Sequence, residues 1–308
     1  MAAGDRGGSD PGERAGLGAL LDRCRFPLPG SALTCAVSGG PDSLALLVLA
    51  TAAGCAVTAA HVDHGLRPDS AEDAAVVAAA AERFGAAFLP LQADVAPGPN
   101  LEARAREARW AALPVDAATG HTADDQAETV LLNLLRGAAL DGLAGMRPGH
   151  RHPILALRRS ETHRLCADLG LDPVIDPTNA CLDLRRNRIR HEVVPLLDRV
   201  AERDVSAVIS RQAALLADDA DLLDQLASAL DPTSVPELAS APAPLARRAL
   251  RTWLRGPLGG HPPSAAALER VMDVVHHRAS AAQVGHDLTV RRTAGRLRVA
   301  ADDSGAAG

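Results

Sequence analysis

Short apolar runs alternate with longer amphipathic stretches through the first half of this 308-residue chain. Each short run has the length and composition of a buried strand, and each longer stretch has apolar residues at helical spacing. Repeated strand–helix units with nearly all-apolar strands predict the α/β class, a parallel sheet with helices on both faces. The predicted strands are residues 32–37, 56–62, 86–92 and 117–121, and the predicted helices are 43–54, 69–84, 101–112 and 123–136.

The second half of the chain follows a different pattern. Residues 174–179 are rich in turn formers, and an acidic helix is predicted from Asp198 to Leu230. A proline-rich segment from Asp231 is predicted to be a linker. Helical periodicity then precedes a hairpin pattern that turns at Gly295. We therefore expect a flexible tail at 1–17, an α/β catalytic domain at 18–200, a helical spacer and linker at 201–244, and a smaller, mainly helical C-terminal domain at 245–308.

The spacing of the cysteines and the length of the apolar runs indicate the cellular compartment of the protein. The five cysteines include no CxxC pair and follow no secretory signal, so a disulfide framework, a zinc ribbon and a cysteine-ligated iron–sulfur centre have little support. No apolar run approaches the ~18 residues that suggest a membrane span. We expect a reduced, cytoplasmic protein without a membrane segment. A monomer and a homodimer are both compatible with the sequence.

Arginine supplies all the permanent positive charge of the chain. There are 32 arginines and no lysine, and the net charge is −6. The missing lysine excludes a Walker A loop, which needs lysine to reach the outer phosphates of a nucleotide. Residues 146–191 hold nine arginines against five acidic residues, and residues 247–298 hold ten against three. Two basic blocks on an acidic body favour a polyanionic partner over a merely solvated arginine-rich surface.

The junction between the first predicted strand and helix reads SGGPDS, residues 38–43. Gly39 and Gly40 would let the backbone approach an anion, and a helix capped by Ser43 would point its free N–H groups at that anion. An ordinary glycine–proline turn has the same sequence, so this stretch alone leaves both interpretations open. Asp42 would repel a bare anion, and it is better suited to bind Mg²⁺ or to complement the helix dipole.

A second candidate site lies at the start of the fourth predicted helix. Asp124 and Glu128 are four residues apart, so both carboxylates share one helix face near the carboxyl edge of the sheet, with His121 and Asp125 close by. A surface helix would show the same pattern. These groups could hold Mg²⁺, bind an ammonium group or accept a proton, and the sequence does not divide these roles among them.

Further candidates are arginines and histidines. Arg106 and Arg109 could bind a developing phosphate charge or a carboxylate, because guanidinium pairs bidentately with either, or could form ion pairs with neighbouring glutamates. The stretch RRNRIRH at 185–191 places four guanidiniums within six residues, where they bind a substrate or form a solvated basic face. His61 and His64 lack a further set of zinc ligands, which favours contacts to a nucleotide or substrate.

Several stretches together resemble known families. SGGPDS after a buried strand resembles the pyrophosphate loop of the N-type ATP pyrophosphatases, which cleave ATP between the α- and β-phosphates and transfer AMP to a substrate. Three stretches are similar to the tRNA(Ile)-lysidine synthetase family: HVDHGLRPDS (61–70), HTADDQAETVLLNLLRGAALDGLAGM (121–146) and RRNRIRHEVVPLL (185–197). NLEARAREARW (100–110) fits the same pattern, although Trp110 stands where tyrosine is more usual and Asp63 where asparagine is common. The C-terminal third matches only weakly.

The resemblance implies a ligase that joins L-lysine to the wobble cytidine of an isoleucine tRNA with a CAU anticodon, with ATP and Mg²⁺ as cofactors. ATP would adenylate the 2-carbonyl oxygen of the cytosine, and the ε-amine of lysine would then displace AMP. The resemblance assigns catalytic roles to Asp42, Arg109, His121, Asp124, Asp125 and Glu128; nucleotide contacts to Ser38, Gly39, Gly40, Pro41, Asp42, Ser43, His61 and His64; substrate contacts to Arg106, Arg109, Asp124, Glu128, Arg186, Asn187, Arg188 and Arg190; and Mg²⁺ ligation to Asp42 and Asp125.

Three other functions would use similar residues. A thiolating relative would activate a tRNA base with the same loop, but such enzymes typically rely on paired cysteines, which this chain lacks. An amidating, ammonia-dependent synthetase for a small metabolite would not need two basic blocks. A noncatalytic nucleotide- or RNA-binding module would be expected to have lost the acidic residues that are intact here. We therefore expect the ligase, with the arginines at 247–298 binding the body of the tRNA.

Overall fold

A computed structural model describes residues 11–63, 70–93, 101–174, 181–285 and 287–301. The chain divides into two compact units, Met1–Leu216 and Ala217–Gly308, which are described separately below. Within the described ranges, no helix is both long enough and apolar enough to cross a membrane.

A four-stranded parallel sheet forms the centre of the first unit, as the alternating pattern predicts. Its strands are β1 (Ala32–Ala36), β2 (Ala56–Asp63), β3 (Ala87–Gln92) and β4 (Ala118–Thr119), in the order β3-β2-β1-β4. β1 pairs with β2 along its length and with β4 through Cys35–Ala118 and Ala36–Thr119. The strand order therefore reverses at β1, so the loops after β1 and β4 lie side by side. Open α/β sheets bind their ligands at such a reversal.

Helices connect the strands and cover both faces of the sheet. Alternate residues of β2 enter different cores: Val57 and Ala59 pack with the helices on one face, whereas Ala60 packs with Leu113 on the other. The helix after β1 is buried from Ser43 through Ala50, and each fully buried leucine there stabilises the fold by about 1.5–3 kcal/mol. The helices that follow the four strands are α2 (Pro41–Ala52), α3 (Ser70–Phe84), α4 (Leu101–Ala112) and α5 (Ala123–Leu135).

The remaining described elements of the first unit are helical. They are α1 (Pro11–Leu21), α6 (Leu140–Leu143), α7 (Arg159–Asp168), α8 (Arg185–Arg188), α9 (Val194–Ala201) and α10 (Val205–Ala227), within which the boundary between the units falls. A π-helical turn, Ile189–Val193, joins α8 to α9, and such turns are frequent at functional sites. The helix predicted from Asp198 to Leu230 is interrupted because Glu202 adopts a left-handed conformation with φ of 50°.

The second unit combines short helices with a small antiparallel sheet. Its core includes Leu238, Leu250 and Val271. The predicted hairpin is present, with Gly295 at φ 75° between its strands. The first strand of the sheet was not predicted, because its sequence AAQVG has little strand propensity. The elements are α11 (Val235–Ser240), α12 (Ala243–Arg255), α13 (Ala265–Val275), β5 (Ala281–Gly285), β6 (Leu288–Thr293) and β7 (Arg296–Ala301), with strand order β5-β6-β7.

Two segments of the predicted domain organisation differ from the structure. Residues 11–17 belong to α1 instead of a flexible tail, and Leu17 packs against the core of the first unit. The proline-rich segment predicted as a linker contains α11, whose Val235 and Leu238 are buried. Prolines lie in the first turns of α11 and α12, where their missing N–H costs no helical hydrogen bond. They therefore begin helices instead of keeping the chain irregular.

Candidate active site

Two loops meet at the reversal of the sheet, and glycines permit their close packing. Gly39, in the loop after β1, has φ of 89°, and a Cβ there would come within 2.8 Å of the Val174 side chain. Gly120, in the loop after β4, approaches so closely that a Cβ would lie 2.6 Å from the Asp42 carbonyl oxygen. A side chain at Gly120 would push the two loops apart, and a side chain at Gly39 would press against Val174. The N-terminus of α2 consequently lies beside the start of the acidic helix α5.

The glycine turn is held by serine hydroxyls. The Ser43 hydroxyl accepts a hydrogen bond from the Ser38 N–H at 3.1 Å and donates one to the Gly40 carbonyl at 2.8 Å. The prediction that Ser43 caps the helix is wrong: Gly40 is the N-cap and Pro41 begins α2, because proline is tolerated in a first helical turn. Ser43 instead fixes the conformation of the turn that precedes its own helix.

Asp125 is fixed by the cap of α5. Its Oδ2 accepts hydrogen bonds from the backbone N–H and the hydroxyl of Thr122, both at 2.9 Å. These bonds direct the carboxylate back toward the end of β4 and leave Oδ1 for other partners. The cap therefore presents one charged oxygen to the site at the sheet edge.

Arg159, the first residue of α7, joins the acidic residues from both loops. Its guanidinium donates to Asp125 Oδ1 at 3.0 Å and Glu128 Oε1 at 3.2 Å, and it reaches Asp42 Oδ2 at 3.4 Å. Asp42 also accepts a hydrogen bond from the Thr162 hydroxyl of the same helix. The sequence interpretation missed both α7 residues, and its only signal was the basic block that contains Arg159.

Glu128 lies at the base of the cluster with 2% of its side chain exposed. Besides Arg159, it accepts hydrogen bonds from Arg186 Nε and Arg190 Nε, both at 2.7 Å. Arg186 also reaches Asp125 Oδ1 at 3.1 Å. Arg186 and Arg190 are four residues apart across the junction of α8 with the π-helical turn, so both side chains share one face. Charge-assisted bonds of this kind are roughly twice as strong as neutral ones.

Asp124 belongs to a separate ion pair. Arg158 contacts its two carboxylate oxygens at 2.7 and 3.0 Å, and the Arg159 backbone N–H donates to it at 2.8 Å. Burial opposes ionisation, but these bonds outweigh it and lower the pKa of Asp124. In this structure Asp124 contacts the first turn of α7, and its role in catalysis and substrate binding stays a prediction.

The pKa values of the two carboxylates nearest the glycine turn, Asp42 and Asp125, shift in opposite directions. Burial raises the pKa of Asp42, and the Thr162 hydroxyl and Arg159 offset this only in part. Burial acts in the same direction on Asp125, but the charges of Arg159 and Arg186 and the Thr122 N–H outweigh it and lower its pKa. Asp125 is therefore a fixed anion and a poor proton acceptor, whereas Asp42 is protonated more readily.

His121 is oriented by a hydroxyl at the end of β4. Thr119 Oγ1 donates to the Arg151 carbonyl at 3.0 Å, and it lies 2.6 Å from His121 Nδ1 and 2.9 Å from His152 Nδ1. The two Nδ1 atoms lie 3.4 Å apart, so the Thr119 hydroxyl holds both rings together at the end of β4. Burial, aided by Arg151, lowers the pKa of His152.

Other predicted contact residues lie elsewhere or outside the described residues. His61 is buried, and its Nδ1 lies 2.9 Å from the Val37 carbonyl oxygen at the end of β1. His64 is not among the described residues. The backbone of α4 is described, but the side chains of Arg106 and Arg109 are not.

Two other residues of the RRNRIRH stretch, Asn187 and Arg188, make their contacts outside the acidic cluster. The Asn187 amide donates to the Cys181 carbonyl at 2.8 Å. Arg188 is exposed and pairs with Glu192 at 3.1 Å. Of the four substrate contacts predicted in this stretch, Arg186 and Arg190 are thus the two that meet the acidic cluster.

The site fits a nucleotide more readily than a metal held by protein alone. In the described ranges no group of three histidine, cysteine or acidic residues could hold a metal ion. The two predicted Mg²⁺ ligands, Asp42 and Asp125, already share the guanidinium of Arg159. The glycine turn, by contrast, provides the open backbone and the helix N-terminus that bind phosphate groups.

Proteins of similar sequence identify the family. A family model of a PP-loop domain matches residues 18–197, and a model of the TilS substrate binding domain matches residues 234–298. A tRNA(Ile)-lysidine synthase from Nocardia farcinica is 44% identical over 245 residues, which cover 74% of this chain and 77% of that protein. One from Rhodococcus jostii is 39% identical over 299 residues, covering 89% and 91%. The chain belongs to the tRNA(Ile)-lysidine synthase family.

Membership of the lysidine synthase family confirms the resemblance found in the sequence and extends it to the C-terminal region. Among solved structures, the U34-tRNA thiolase NcsA from Methanococcus maripaludis is similar, with a TM-score of 0.53 and 18% identity over 66% of this chain and 79% of that one. At that identity the likeness shows a shared fold alone. The lysidine synthase relatives favour the ligase over the thiolase interpretation.

Proposed function

We propose that this protein joins L-lysine to the wobble cytidine of a tRNA(Ile) with a CAU anticodon, using ATP and releasing AMP and pyrophosphate. The family supports this activity, and one observation about the site carries it furthest. Asp42, beside the glycine turn, shares the Arg159 guanidinium with Asp125 and Glu128 of α5. A phosphate-binding turn therefore directly adjoins a cluster of paired carboxylates and guanidiniums that can orient the charged groups of an amino acid, and this proximity is what a two-step activation and amination needs.

ATP supplies an adenylate leaving group on the 2-carbonyl oxygen of the cytosine, with loss of pyrophosphate. The ε-amine of lysine then bonds to C2, AMP leaves with that oxygen, and the amine loses a proton. In this proposal the backbone of the glycine turn and the N-terminus of α2 bind the phosphates, with Ser38 beside them. Mg²⁺ accompanies the phosphates of ATP.

The lysine amine must be neutral to attack. A free amine is protonated at neutral pH, and presenting it as a nucleophile costs about 4.6 kcal/mol. Asp125 is a poor base because its pKa is lowered, and Glu128 already accepts from three arginines. We assign these two residues to orienting the amino acid. We assign proton acceptance to His121, whose ring the Thr119 hydroxyl holds at the end of β4.

The second unit is proposed to hold the tRNA body. It contains the region matched by the TilS substrate binding domain model. Arg291 of β6 and Arg298 of β7 are exposed and lie directly opposite one another. Like charges in this position are destabilising in the free protein, and a phosphate backbone would neutralise them.

The direct test is incorporation of radiolabelled L-lysine into tRNA(Ile) bearing CAU, with ATP and Mg²⁺. Methionine tRNA with the same anticodon is the RNA control, and Asp42→Ala is the protein control. Label that appears only with the wild type and only on tRNA(Ile) is the expected result. Release of AMP and pyrophosphate without any labelled RNA would retain the ATP chemistry and refute lysine ligation to this tRNA.

A further inference from the structure

The charges in the acidic cluster are matched one to one. Three carboxylates, those of Asp42, Asp125 and Glu128, meet three guanidiniums, which belong to Arg159, Arg186 and Arg190. Buried carboxylates are stable as anions only when they are paired in this way. The cluster therefore carries no excess negative charge with which to attract a cation from solution.

Arg159 differs from the other two arginines because it alone contacts Asp42 among the described ion pairs of the cluster. Its nitrogens reach Asp125 and Glu128 at 3.0 and 3.2 Å, whereas the contact to Asp42 is longer, 3.4 Å. Asp42 has a second partner, the Thr162 hydroxyl, on its other oxygen. The contact with Asp42 is thus the longest of the three ion pairs that Arg159 makes in the cluster, and it lies beside the glycine turn.

We propose that Arg159 is a positioning residue that occupies the cation position between Asp42 and the α5 carboxylates, so that a divalent ion does not bind there before the nucleotide. The ATP phosphates would bring their own metal ion. Asp42 would then bind that ion in place of Arg159, while Asp125 and Glu128 stay paired with Arg159. The inference rests on the proposed function, since it assigns the cluster to an ATP-dependent site.

Removal of the guanidinium should create a metal site. Without Arg159, the same place would hold three carboxylates and the two remaining arginines, a net charge of −1 instead of zero. Asp42 and Asp125 already influence one another, because the charge of Asp125 contributes to the raised pKa of Asp42. Carboxylate oxygens freed in this geometry are ligands that Mg²⁺ and Mn²⁺ prefer.

The test measures Mn²⁺ binding by electron paramagnetic resonance in the absence of ATP, lysine and RNA. The variants are Arg159→Gln and, as a matched control, Arg158→Gln, which removes the neighbouring guanidinium from Asp124 and Asp204, two carboxylates outside the cluster. We expect Arg159→Gln to bind Mn²⁺ at least tenfold more tightly than the wild type, and Arg158→Gln to match the wild type within twofold. Equal Mn²⁺ affinity in Arg159→Gln and wild type would overturn the proposal, as would an equal gain in both variants.

A second variant keeps the test possible if Arg159→Gln does not fold. If circular dichroism shows Arg159→Gln to be unfolded, Arg159→Lys is used, because one ammonium cannot contact all three carboxylates and should release Asp42. Mn²⁺ affinity about threefold above wild type is then expected, and unchanged affinity would overturn the proposal. Since no step of ligation enters this measurement, failure of the lysine-incorporation test would leave its outcome standing, and the converse also holds.

Discussion

The two units use arginine in opposite ways. In the first, Arg159, Arg186 and Arg190 are 20–29% exposed and converge on carboxylates that are nearly buried. In the second, the ion pair of Arg247 with Glu269 is 42% and 57% exposed. The arginines of the acidic cluster are therefore largely desolvated, whereas the Arg247–Glu269 pair is surrounded by water.

In the proposed function, the same residue type positions the reaction in one unit and attracts a polyanion in the other. Burial decides which role applies, because a desolvated charge depends on its partner and a solvated charge does not. The consequences can be separated by substitution, beginning with the site where the largest effect is expected.

Neutralising Glu128 should have the largest effect. Glu128→Gln leaves three guanidiniums without their shared charge and should lower the free energy of unfolding by roughly 3 kcal/mol. The exposed counterpart in the second unit, Glu269→Gln, should cost less than about 1 kcal/mol. Urea denaturation of both variants measures the difference. Equal losses would mean that burial does not distinguish the two units.

Thr119→Val should impair the rate without affecting binding. The variant keeps its shape but no longer hydrogen-bonds to His121 Nδ1, and loss of a group that orients a ligand or base typically costs 10–100-fold. We expect kcat to fall by about that factor while KM for ATP and tRNA stays nearly constant. Steady-state kinetics tests this, with Thr289→Val in the second unit as control. A change confined to KM would show that His121 is not the oriented base.

Arg298→Gln should weaken tRNA binding without destabilising the protein. It removes one of two like charges that face each other across β6 and β7, so the folded second unit should be at least as stable as before. Each lost phosphate contact should reduce the slope of log affinity against log salt by about 0.7–0.9. Filter binding at several salt concentrations measures this slope. An unchanged slope would exclude Arg298 from the RNA surface.

The smallest effect concerns an exposed carboxylate. The Thr233 hydroxyl and backbone N–H, with Arg296, hold the pKa of Asp231 down to about 2. A lowered pKa stabilises the folded unit above the unfolded value of about 3.9, and this contribution is lost as the pH falls toward 2. Asp231→Asn should therefore melt slightly below wild type at pH 6 and converge with it near pH 2. If the melting temperatures of the variant and the wild type differ equally at both pH values, the lowered pKa of Asp231 is contradicted.

The sequence pattern predicted the sheet and the glycine turn because both depend on local residues. Apolar runs such as 56–62 form strands where expected, and Gly39 is required by its own backbone conformation. The acidic residues of α5 were also found, since they follow one another at helical spacing. Sequence pattern and spacing are thus sufficient to predict elements whose conformation is determined by residues a few positions apart.

Arg159, whose guanidinium lies at the centre of the site, could not be predicted from local sequence pattern. Arg159 lies 34 positions after Asp125 and 117 positions after Asp42 in the sequence, and only the packing of α7 brings them together. α7 itself has little apolar character to reveal it. Thr119 and His152 likewise meet through tertiary contacts. Such partners become visible only when the positions of whole elements are known.

The division of work between the units is tested most directly by single-turnover ligation measured over a range of tRNA concentrations. Glu128→Gln and Arg298→Gln are compared with wild type. We predict that Glu128→Gln lowers the rate at saturating tRNA and leaves the tRNA concentration for half-maximal rate unchanged, whereas Arg298→Gln raises that concentration and leaves the saturating rate within twofold of wild type. The reverse assignment, or equal changes of both quantities in both variants, would contradict it.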